Sequence, residues 1–377
     1  MKYELRWFNT PLIWFEAEDN GPEIELSIER INESMEDVFP LDLELNETGL
    51  STWLRHRTIP SNRAYAHNFL NKCGLNDKRK MAIIRISKGL SLSDSYWVVE
   101  KRFEGSFENY NLFENQFNRE LAELAFTGNG GQLRSSFRSS PEFTTNGMLP
   151  KCWRRVDGKI LLYKGGTVGL SNAGNEPYSE YYAYQIAETL GIHAIPYGLS
   201  RWKGVLCSTC ELFTSKDISF MPVGNLVTSG GIKAVTEYYE SLGEPYIFAL
   251  HDMFVLDAII CNTDRHFGNF GLMIDSQTNK IGSPAPLFDH GNSLFALATE
   301  TDFESEETLI SYADSLFPCV YDSFIDQARA VLTEHHREGL RKLLTFKFRK
   351  NHRYNLDHKR LKMIESVIHH RAIELLK

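Results

Sequence analysis

Apolar and polar residues alternate along the first thirty residues of the chain. The apolar positions that keep this period of two are Leu5, Trp7, Leu12, Trp14, Ile24, Leu26 and Ile28. A period of two is typical of β-strands with one buried face, and the Asn20–Gly21 pair is a common hairpin turn. Residues 1–30 are therefore predicted to form a small, hairpin-rich sheet.

Helical patterns follow in two places. Residues 50–75 predict two helices broken at Pro60, with Ser61 or Asn62 as the cap of the second and Gly74 as its stop. This helix–turn–helix spacing would also suit DNA contact, but helical pairs are common scaffolding, which is the interpretation we favour. Residues 107–126 predict an amphipathic helix that ends before Gly128.

The remainder of the chain changes from β-rich to helical. Residues 128–141 are rich in Gly and Ser and are predicted to form a loop. After it the pattern predicts strands within residues 144–156 and 158–166, a helix over 177–192, and strands over 193–202 and 203–213. From about residue 230 the pattern is mainly helical, apart from a hairpin between Phe270 and Leu287.

Composition places the chain among ordinary soluble proteins. It has 377 residues, of which 42% are hydrophobic and 24% charged, which excludes a disordered or fibrous protein. Charged residues interrupt the apolar residues at the N-terminus, so no secretory signal peptide is expected there. The longest apolar run, Tyr246–Cys261, is too short to span a membrane. The six cysteines do not resemble a disulfide framework, and Cys207 and Cys210 are interpreted as packing residues. A cytoplasmic location is expected.

Charge is distributed unevenly. The net charge of −8 disfavours a protein that coats nucleic acid, and no direct nucleic-acid contact is expected. Residues 1–50 hold three Lys/Arg against thirteen Asp/Glu, whereas residues 335–377 hold twelve against four. The basic segment could bind an acidic partner or nucleic acid, but a solvated helical face is the simpler interpretation. The histidine pairs 335–336 and 369–370 are likewise expected to be solvated.

The most informative segment is the polar loop after the long apolar helix that ends at Cys261. Asp264 and Asn269 lie in this loop, and Asp289 closes the hairpin that follows. This set suits phosphoryl transfer, because one Asp can orient the attacking hydroxyl while an Asn and a second Asp bind Mg²⁺ on the nucleotide phosphates. The competing interpretation is a surface loop in which these residues only stabilise turns.

The spacing favours the catalytic interpretation. The protein-kinase catalytic loop, H-R-D-x-x-x-x-N, separates Asp and Asn by five residues, as Asp264 and Asn269 are separated here. Asp289-His290-Gly291 occupies the place of the kinase D-F-G, with His for Phe. Arg265 follows the aspartate instead of preceding it, so control of an activation loop through this arginine is not implied.

The segments NTDRHFGN and PLFDHGNSL resemble those of the HipA-type serine/threonine kinases, in particular the free-standing, CtkA-type bacterial branch. The resemblance runs from about Pro141 to the C-terminus and does not include the residues before 128. It implies an α+β, bilobal protein-kinase-like fold with a β-rich N-lobe and a mainly α-helical C-lobe. The implied domains are an N-terminal α/β extension (1–127), an N-lobe with a phosphate-covering loop (128–215) and a C-lobe with the catalytic and metal loops (216–377).

The resemblance also assigns roles in the N-lobe. TTNGMLPK resembles the phosphate-covering loop, with Gly147 and Lys151 near the nucleotide, and LYKGGT resembles the strand that carries the ATP lysine, here Lys164. Alternation places Lys164 on the same strand face as apolar residues, where a lysine needs a partner or an anion. Of the two glutamates that begin the next helix, Glu176 and Glu180, the resemblance selects Glu180 as that partner.

Two further assignments rest on the resemblance. The backbone from Glu211 to Phe213 is implied to contact adenine. Thr144 and Thr145 lie at the entrance of the phosphate-covering loop, where HipA-type kinases carry a phosphorylatable residue. The alternative is that both threonines are simply strand residues.

The expected function is therefore an ATP- and Mg²⁺-dependent serine/threonine protein kinase, autophosphorylating and toxin-like, with a protein substrate and an antitoxin-like partner. A small-molecule or lipid kinase is the first alternative, because D-R-H-x-x-N also resembles the phosphoinositide-kinase loop, in which His266 could share the acid–base role. A non-catalytic module with a kinase fold is the second, which the complete set of site residues disfavours.

Overall fold

The computed structural model describes residues 1–18, 23–131, 139–169 and 173–377, which divide into two compact units. The first unit holds Met1–Lys164, Glu211–Met221 and Met273–Gly282, and the second holds Gly165–Cys210, Pro222–Leu272 and Ser283–Lys377. The Asn20–Gly21 turn and residues 132–138 of the Gly/Ser-rich loop lie outside the described residues. The three domains expected from the sequence, with boundaries after residues 127 and 215, stay a prediction.

A four-stranded antiparallel sheet opens the first unit. Its strands are β1 (Lys2–Trp7), β2 (Thr10–Glu18), β3 (Glu25–Ile31) and β4 (Tyr96–Glu100). The strand order is β3-β2-β1-β4, and Tyr3 of β1 lies opposite Phe15 of β2 and Glu100 of β4. The sheet predicted over residues 1–30 is thus confirmed, with β4 added from a distant part of the chain.

Both faces of this sheet are covered along β4. Tyr96 and Val98 belong to the hydrophobic cluster that includes Leu5 and Phe15. Trp97, between them in sequence and fully buried, belongs to a second cluster with Val99, Phe107 and Leu112. Since successive side chains of a strand point to opposite faces, the sheet is the middle layer of the unit.

The helices of the first unit differ in part from those predicted. They are α1 (Glu47–His56), α2 (Ala66–Lys72), α3 (Lys80–Ser87), α4 (Phe107–Tyr110) and α5 (Arg119–Thr127). The break near Pro60 is confirmed, but α2 begins after Tyr65, whose left-handed backbone (φ 62) turns the chain into the helix, and not after Ser61 or Asn62.

The single helix predicted over residues 107–126 is wrong. The chain leaves the helical conformation at Asn111 and returns to it only after Asn118, whose side-chain oxygen accepts from the Glu120 and Leu121 amides at 2.8 and 3.1 Å. Asparagine competes with helical hydrogen bonding inside a helix and stabilises the start of one, so two asparagines divide an otherwise amphipathic pattern.

Strands β5 (Lys151–Val156) and β6 (Lys159–Gly165) form an antiparallel hairpin in which Lys151 lies opposite Lys164. Asp157 and Gly158 make its two-residue turn, and both have the positive φ (50 and 79) that such a turn requires. The strand predicted from residue 144 begins only at Lys151, because residues 141–143 form a 3₁₀-helix and residues 144–150 a loop. Thr144 and Thr145 are therefore not strand residues.

The rest of the chain is mainly helical from residue 223, as predicted. In chain order its elements are α6 (Glu176–Leu190), β7 (Tyr197–Trp202), β8 (Val205–Glu211), β9 (Ile218–Pro222), α7 (Val223–Leu226), α8 (Gly231–Leu242), α9 (Glu244–Ile260), β10 (Gly271–Asp275), β11 (Lys280–Pro284), α10 (Glu306–Asp314), α11 (Phe324–Val331), α12 (Glu334–Leu343) and α13 (His358–Leu376). β7 pairs with β8, and β9, β10 and β11 form a sheet in the order β11-β10-β9. The hairpin predicted between Phe270 and Leu287 is confirmed as β10–β11.

Helix α6 is packed closely against other parts of the second unit. A side chain at Gly339 of α12 would come within 2.9 Å of the Leu190 carbonyl oxygen, so only glycine permits this approach of α12 to α6. The Gln185 side chain exchanges hydrogen bonds with the Arg349 backbone (3.2 and 2.8 Å), and the Tyr182 hydroxyl donates to Asn355 (3.0 Å).

The expectation that His336 is solvated is wrong. Its side chain is 1% exposed, and its Nε2 lies 2.9 Å from the Asp252 carboxylate on α9. Its Nδ1 accepts from the amide of Thr333 (3.1 Å), the N-cap residue of α12. The histidine therefore joins the start of α12 to α9.

Among the helices of the described residues, none combines the length and apolar composition that crossing a bilayer requires.

Candidate functional site

The loop that follows α9 carries Asp264 and Asn269 and is closed by its own hydrogen bonds. α9 ends at Ile260, and the left-handed backbone of Cys261 (φ 51) turns the chain out of the helix. The Asn269 Nδ2 donates to the Asp264 carbonyl (2.9 Å), and the Asp264 amide donates to the Asn262 side-chain oxygen (3.2 Å). The five-residue spacing therefore corresponds to one closed turn that carries both side chains.

Arg265 lies in the same loop and is fully buried. Its Nε and Nη2 each donate to the Asp257 carboxylate at 3.0 Å, and Nη2 also lies 3.0 Å from His290 Nδ1. Its Nη1 donates to the carbonyl oxygens of Asn269 (3.3 Å) and Phe288. These acceptors account for all five N–H donors of a guanidinium, which only donates, so His290 Nδ1 is the acceptor. Arg265 thus joins α9, the loop with Asp264 and the segment with Asp289.

The Asp257–Arg265 pair has no exposure to solvent. Burial raises the pKa of the Asp257 carboxyl, and the paired guanidinium opposes that shift. Burial, the largest single effect, acts to lower the pKa of Arg265, but the attraction and hydrogen bonds of Asp257 together with the charge of Asp289 raise that pKa overall. Each charge thus depends on the other, and removal of one partner would leave an uncompensated ion in the core.

Asp289 follows the β10–β11 hairpin and has a left-handed backbone (φ 57). Its amide donates to the Tyr197 hydroxyl (3.1 Å), and its carbonyl accepts from the Asn262 side chain at 3.5 Å. The next amide, that of His290, donates to the Glu180 carboxylate at 2.7 Å. A non-glycine residue in this conformation is strained and persists because surrounding contacts determine it, which is common at functional sites.

The two glutamates at the start of α6 have different partners. Glu180 is fully buried and accepts from the amide next to Asp289. Glu176 accepts from the amides of Thr167 and Gly174, each at 3.1 Å, and these partners are thus within nine residues of it in sequence. The selection of Glu180 as the partner of Lys164 stays a prediction.

The second unit therefore brings together four predicted site residues: Glu180, Asp264, Asn269 and Asp289. His266, from the same loop, is exposed, and its Nδ1 accepts from the Gly268 amide at 3.0 Å.

Sequence reasoning missed the residues that hold this arrangement, namely Asp257, Asn262, Tyr197 and the anchoring role of Arg265. One signal was present for Asp257, because it is the single charged residue within the apolar run from 253 to 261. A carboxylate inside such a run needs a cationic partner.

The predicted residues of the first unit lie on and beside the β5–β6 hairpin. Lys151 and Lys164 are directly opposite each other in the strand register, and each is 6% exposed. A Cβ atom on Gly147 would collide with the Lys151 ammonium, so this lysine reaches back to the loop that precedes its own strand. Opposite residues share a face of a hairpin, so two cations are placed side by side, which suits the binding of an anion such as a phosphate.

Both candidate phosphorylation sites have hydrogen-bonded hydroxyls. Thr144 is buried, and its Oγ1 donates to the Leu90 carbonyl at 2.7 Å. Thr145 is half-buried, and its Oγ1 donates to the Pro141 carbonyl (2.7 Å) and accepts from Trp153 Nε1 (3.1 Å). A phosphate on Thr144 would therefore require the loop to leave its present position.

The predicted adenine contact lies at the end of β8. Glu211 forms an exposed ion pair with Lys159 at 2.6 Å, and the Leu212 amide donates to the Ile160 carbonyl of β6 at 2.9 Å. The ring of Phe213 packs against Phe220, with centroids 5.4 Å apart. The contact of this backbone with adenine stays a prediction.

Two side-chain oxygens of the second unit are suitable ligands for Mg²⁺. The Asn269 side chain donates through its nitrogen, which leaves its amide oxygen as the acceptor, and Asp289 supplies a carboxylate. Two hard oxygen ligands with phosphate oxygens and water as the others are typical of Mg²⁺ sites in phosphoryl transfer. Across the residues that the structure describes, no group of three or more His, Cys, Asp and Glu could hold a metal by itself.

Comparison with known sequences gives one informative relative. No protein-family model matches the chain. The serine/threonine-protein kinase CtkA of Helicobacter pylori is 27% identical over 162 residues, which cover 39% of this chain and 49% of CtkA. The matched region thus spans about half the length of this curated relative.

Comparison with solved structures extends the likeness to the fold. The crystal structure of the Helicobacter pylori kinase CtkA superimposes with a TM-score of 0.50 at 16% identity, over 62% of this chain and 90% of CtkA. HipA of Shewanella oneidensis, solved with HipB and operator DNA, superimposes with a TM-score of 0.52 at 11% identity, over 99% of this chain and 96% of HipA. The likeness to HipA therefore includes residues 1–127, where the sequence predicts none, because a fold can persist after sequence identity is lost.

The chain is thus similar in part of its sequence to one serine/threonine-protein kinase, and its fold is similar to those of CtkA and HipA. The predicted kinase-like fold, mixed in α and β structure, is confirmed.

Proposed function

We propose that this chain is an ATP- and Mg²⁺-dependent serine/threonine protein kinase of HipA type. The observation that carries the proposal is the set of hydrogen bonds made by Arg265, which ties the Asp264–Asn269 loop to the segment of Asp289. A base candidate and two metal-ligand candidates are thereby held by one buried group, which is the preorganisation that phosphoryl transfer requires.

In this proposal Asp264 orients the substrate hydroxyl and accepts its proton late in the reaction. The Asn269 amide oxygen and the Asp289 carboxylate hold Mg²⁺, which neutralises charge on the transferred phosphate. Lys164, with Glu180 as its partner, and Lys151 bind phosphate oxygens. The loop at Gly147 covers the phosphates, and the backbone of residues 211–213 receives adenine.

Regulation by autophosphorylation belongs to the same proposal. A phosphate on Thr144 adds about −1.5 to −2 charge at the entrance of the loop proposed to cover the phosphates of ATP, and like charges repel. It also breaks the bond from the Thr144 hydroxyl to the Leu90 carbonyl, so the loop leaves the nucleotide site and activity stops.

The proposed setting is the cytoplasm, with a protein substrate and an antitoxin-like partner. Support for the partner comes from Shewanella oneidensis HipA, whose structure contains HipB and operator DNA.

A kinase of small molecules or lipids is the second candidate. It is favoured by His266, which is exposed two residues after Asp264 in a D-R-H-x-x-N sequence and could share proton transfer.

Purified protein incubated with radiolabelled ATP and Mg²⁺, alone and with a cell lysate, tests these candidates. Label in protein bands that disappears with Asp264→Asn supports the protein kinase, whereas label confined to small molecules or lipids supports the second candidate. Absence of any label, with no ATP binding, would identify a non-catalytic module.

Mass spectrometry after the same incubation tests the autoregulation. Phosphate on Thr144 or Thr145 in the parent, and none in Asp264→Asn, is expected. Phosphate found only elsewhere, or a Thr144→Asp variant with full ATP affinity, would contradict it.

A further inference from the structure

Arg63 lies in the segment between α1 and α2, in a part of the chain to which the proposed function assigns no role. Its side chain is buried, with 3% exposure. Its Nη1 donates to the carbonyl oxygens of Glu142 (2.9 Å) and Thr145 (3.2 Å), and its Nη2 donates to the carbonyl of Lys151 (2.5 Å). One guanidinium from the N-terminal region thus contacts three backbone positions around the phosphate-covering loop.

The contacts are placed at both ends and in the middle of this loop, which we define as residues 145–151. Arg63 binds the first residue and the last through their carbonyls, and the neighbouring Ala64 amide donates to the Met148 carbonyl at 2.8 Å. A rigid, planar fork of donors can hold two carbonyls at a fixed separation, which a flexible ammonium cannot do. Two consecutive residues therefore determine the path of the loop.

This arrangement is costly for the folded protein. Burial lowers the pKa of Arg63 to about 10, against the attraction of Glu142. Its Nε has no hydrogen-bond partner among the described residues. An apolar side chain of similar length would fill the same space without the penalty of a buried cation, so packing alone does not explain an arginine here.

We propose that Arg63 is a positioning residue that holds loop 145–151 in the conformation that binds the phosphates of ATP. This inference rests on the proposed function, because the substrate of the loop is the nucleotide. Arg63 does not itself touch the nucleotide. It acts through the carbonyls of Thr145 and Lys151, between which lie Gly147 and the site that the Lys151 ammonium reaches.

The same N-terminal region also contacts the segment that directly follows the predicted adenine contact. The Ser95 hydroxyl donates to the Lys216 carbonyl (2.8 Å), the Phe220 amide donates to the Ser93 carbonyl (2.8 Å), and the Thr214 hydroxyl donates to the Leu92 carbonyl (2.5 Å). The region before residue 128 thus contacts both the segment after residue 213 and, through Arg63 and Ala64, the phosphate-covering loop.

Binding of ATP and of adenosine, each measured by calorimetry in the presence of Mg²⁺, tests the role of Arg63. Arg63→Met removes the hydrogen bonds that hold the loop. If the loop then adopts the binding conformation about one tenth of the time, the apparent affinity for ATP falls about tenfold. Adenosine lacks phosphates, so its affinity is expected to stay within about twofold of the parent, because it does not use the loop.

Arg371→Met is the matched control. Arg371 is also a buried arginine that donates to carbonyls, those of Ala258 (3.3 Å) and Ala313 (2.7 Å), and its Nε likewise has no partner among the described residues. It is distant in sequence from the loop, so the ratio of ATP to adenosine affinity is expected to equal that of the parent, although the protein is less stable.

Arg63→Lys provides a second variant that keeps the charge and most of the length. One ammonium cannot hold both ends of the loop, so the affinity ratio is expected to fall in this variant too. An unchanged ratio in either Arg63 variant, or equal losses for ATP and adenosine, would overturn the inference while the kinase proposal stands. A parent protein that binds no ATP would overturn the kinase proposal and this inference with it.

Discussion

Two loops of this protein are each held by a buried arginine, and the two arginines are held differently. Arg265 gives two of its hydrogen bonds to the Asp257 carboxylate, and all five of its donors have acceptors. Arg63 donates to three carbonyls, and its Nε has no partner among the described residues. The first loop carries Asp264 and Asn269, and the second carries Gly147 and Lys151.

In the proposed kinase, this difference matches how firmly each loop would need to be held. Groups that orient a reacting hydroxyl and a metal ion must keep their geometry within a fraction of an ångström, which a neutralised and fully bonded ion pair provides. A loop that covers phosphates must also release them. Residues 146–148 of that loop are exposed, and carbonyl dipoles hold a cation less tightly than a carboxylate does.

The largest effect is expected at the groups that the first loop positions. Asp264→Asn should lower the rate of phosphoryl transfer about 10²–10⁴-fold, the usual contribution of a positioned proton acceptor, with ATP affinity within a few-fold of the parent.

Asp289→Asn should weaken binding of Mg²⁺–ATP as well as turnover, because a ligand charge is lost. If both variants bound and turned over ATP like the parent, this assignment of the site would be wrong.

The anchor of the first loop gives the next largest effect. Arg265→Met leaves the buried Asp257 carboxylate without its partner, and we expect the free energy of unfolding in urea to fall by about 3–5 kcal/mol. The double variant Arg265→Met with Asp257→Asn should recover part of this loss, since no buried charge remains. A single variant as stable as the parent would show that the pair is not the anchor.

A smaller effect is expected at the lysines beside the second loop. Lys164→Met removes one charge-assisted contact to phosphate, worth about 1.5–3 kcal/mol, and so should weaken ATP binding roughly ten- to hundredfold. The midpoint of thermal unfolding should change little, because in the proposed role the lysine binds phosphate more than it supports the core. A midpoint that collapsed in calorimetry would instead give Lys164 a structural role.

The smallest effect is expected at the entrance of the second loop. Thr145→Val removes the hydrogen bonds to the Pro141 carbonyl and from Trp153 Nε1, and unfolding should become easier by about 1–2 kcal/mol. Thr145→Ser, which keeps the hydroxyl, is the control and should lose less. Equal stability of the Val variant and the parent would show that these bonds do not hold the loop.

The sequence was sufficient to predict local structure where the residues that determine it are close together along the chain. Asp264 and Asn269 are five residues apart in one turn, and the turn closes on itself, so their spacing carries the geometry. The β5–β6 hairpin is equally local, since its alternation and its Asp157–Gly158 turn determine the register that places Lys151 opposite Lys164.

The sequence was insufficient to predict a contact where the hydrogen-bond partner of a residue comes from a distant segment of the chain. Arg63 binds carbonyls 79 to 88 residues further along the chain, and the amide bound by Glu180 is 110 residues away. His336 was expected to be solvated because its neighbours in sequence are charged, whereas its partner Asp252 lies 84 residues earlier. Such contacts depend on the packing of whole elements, which local patterns do not encode.

The packing of α6 has a consequence for how the protein can be switched. Helix α6, which carries Glu180, packs closely against Gly339 at its C-terminal end and is hydrogen-bonded along its length through Gln185. Near its start, the Ser179 hydroxyl donates to the Ser293 carbonyl (2.8 Å). A signal that acted by swinging this helix outward would have to break all of these contacts together. An outward swing of α6 is therefore a costly way to switch the protein, and a change in a loop that leaves these contacts intact would cost less.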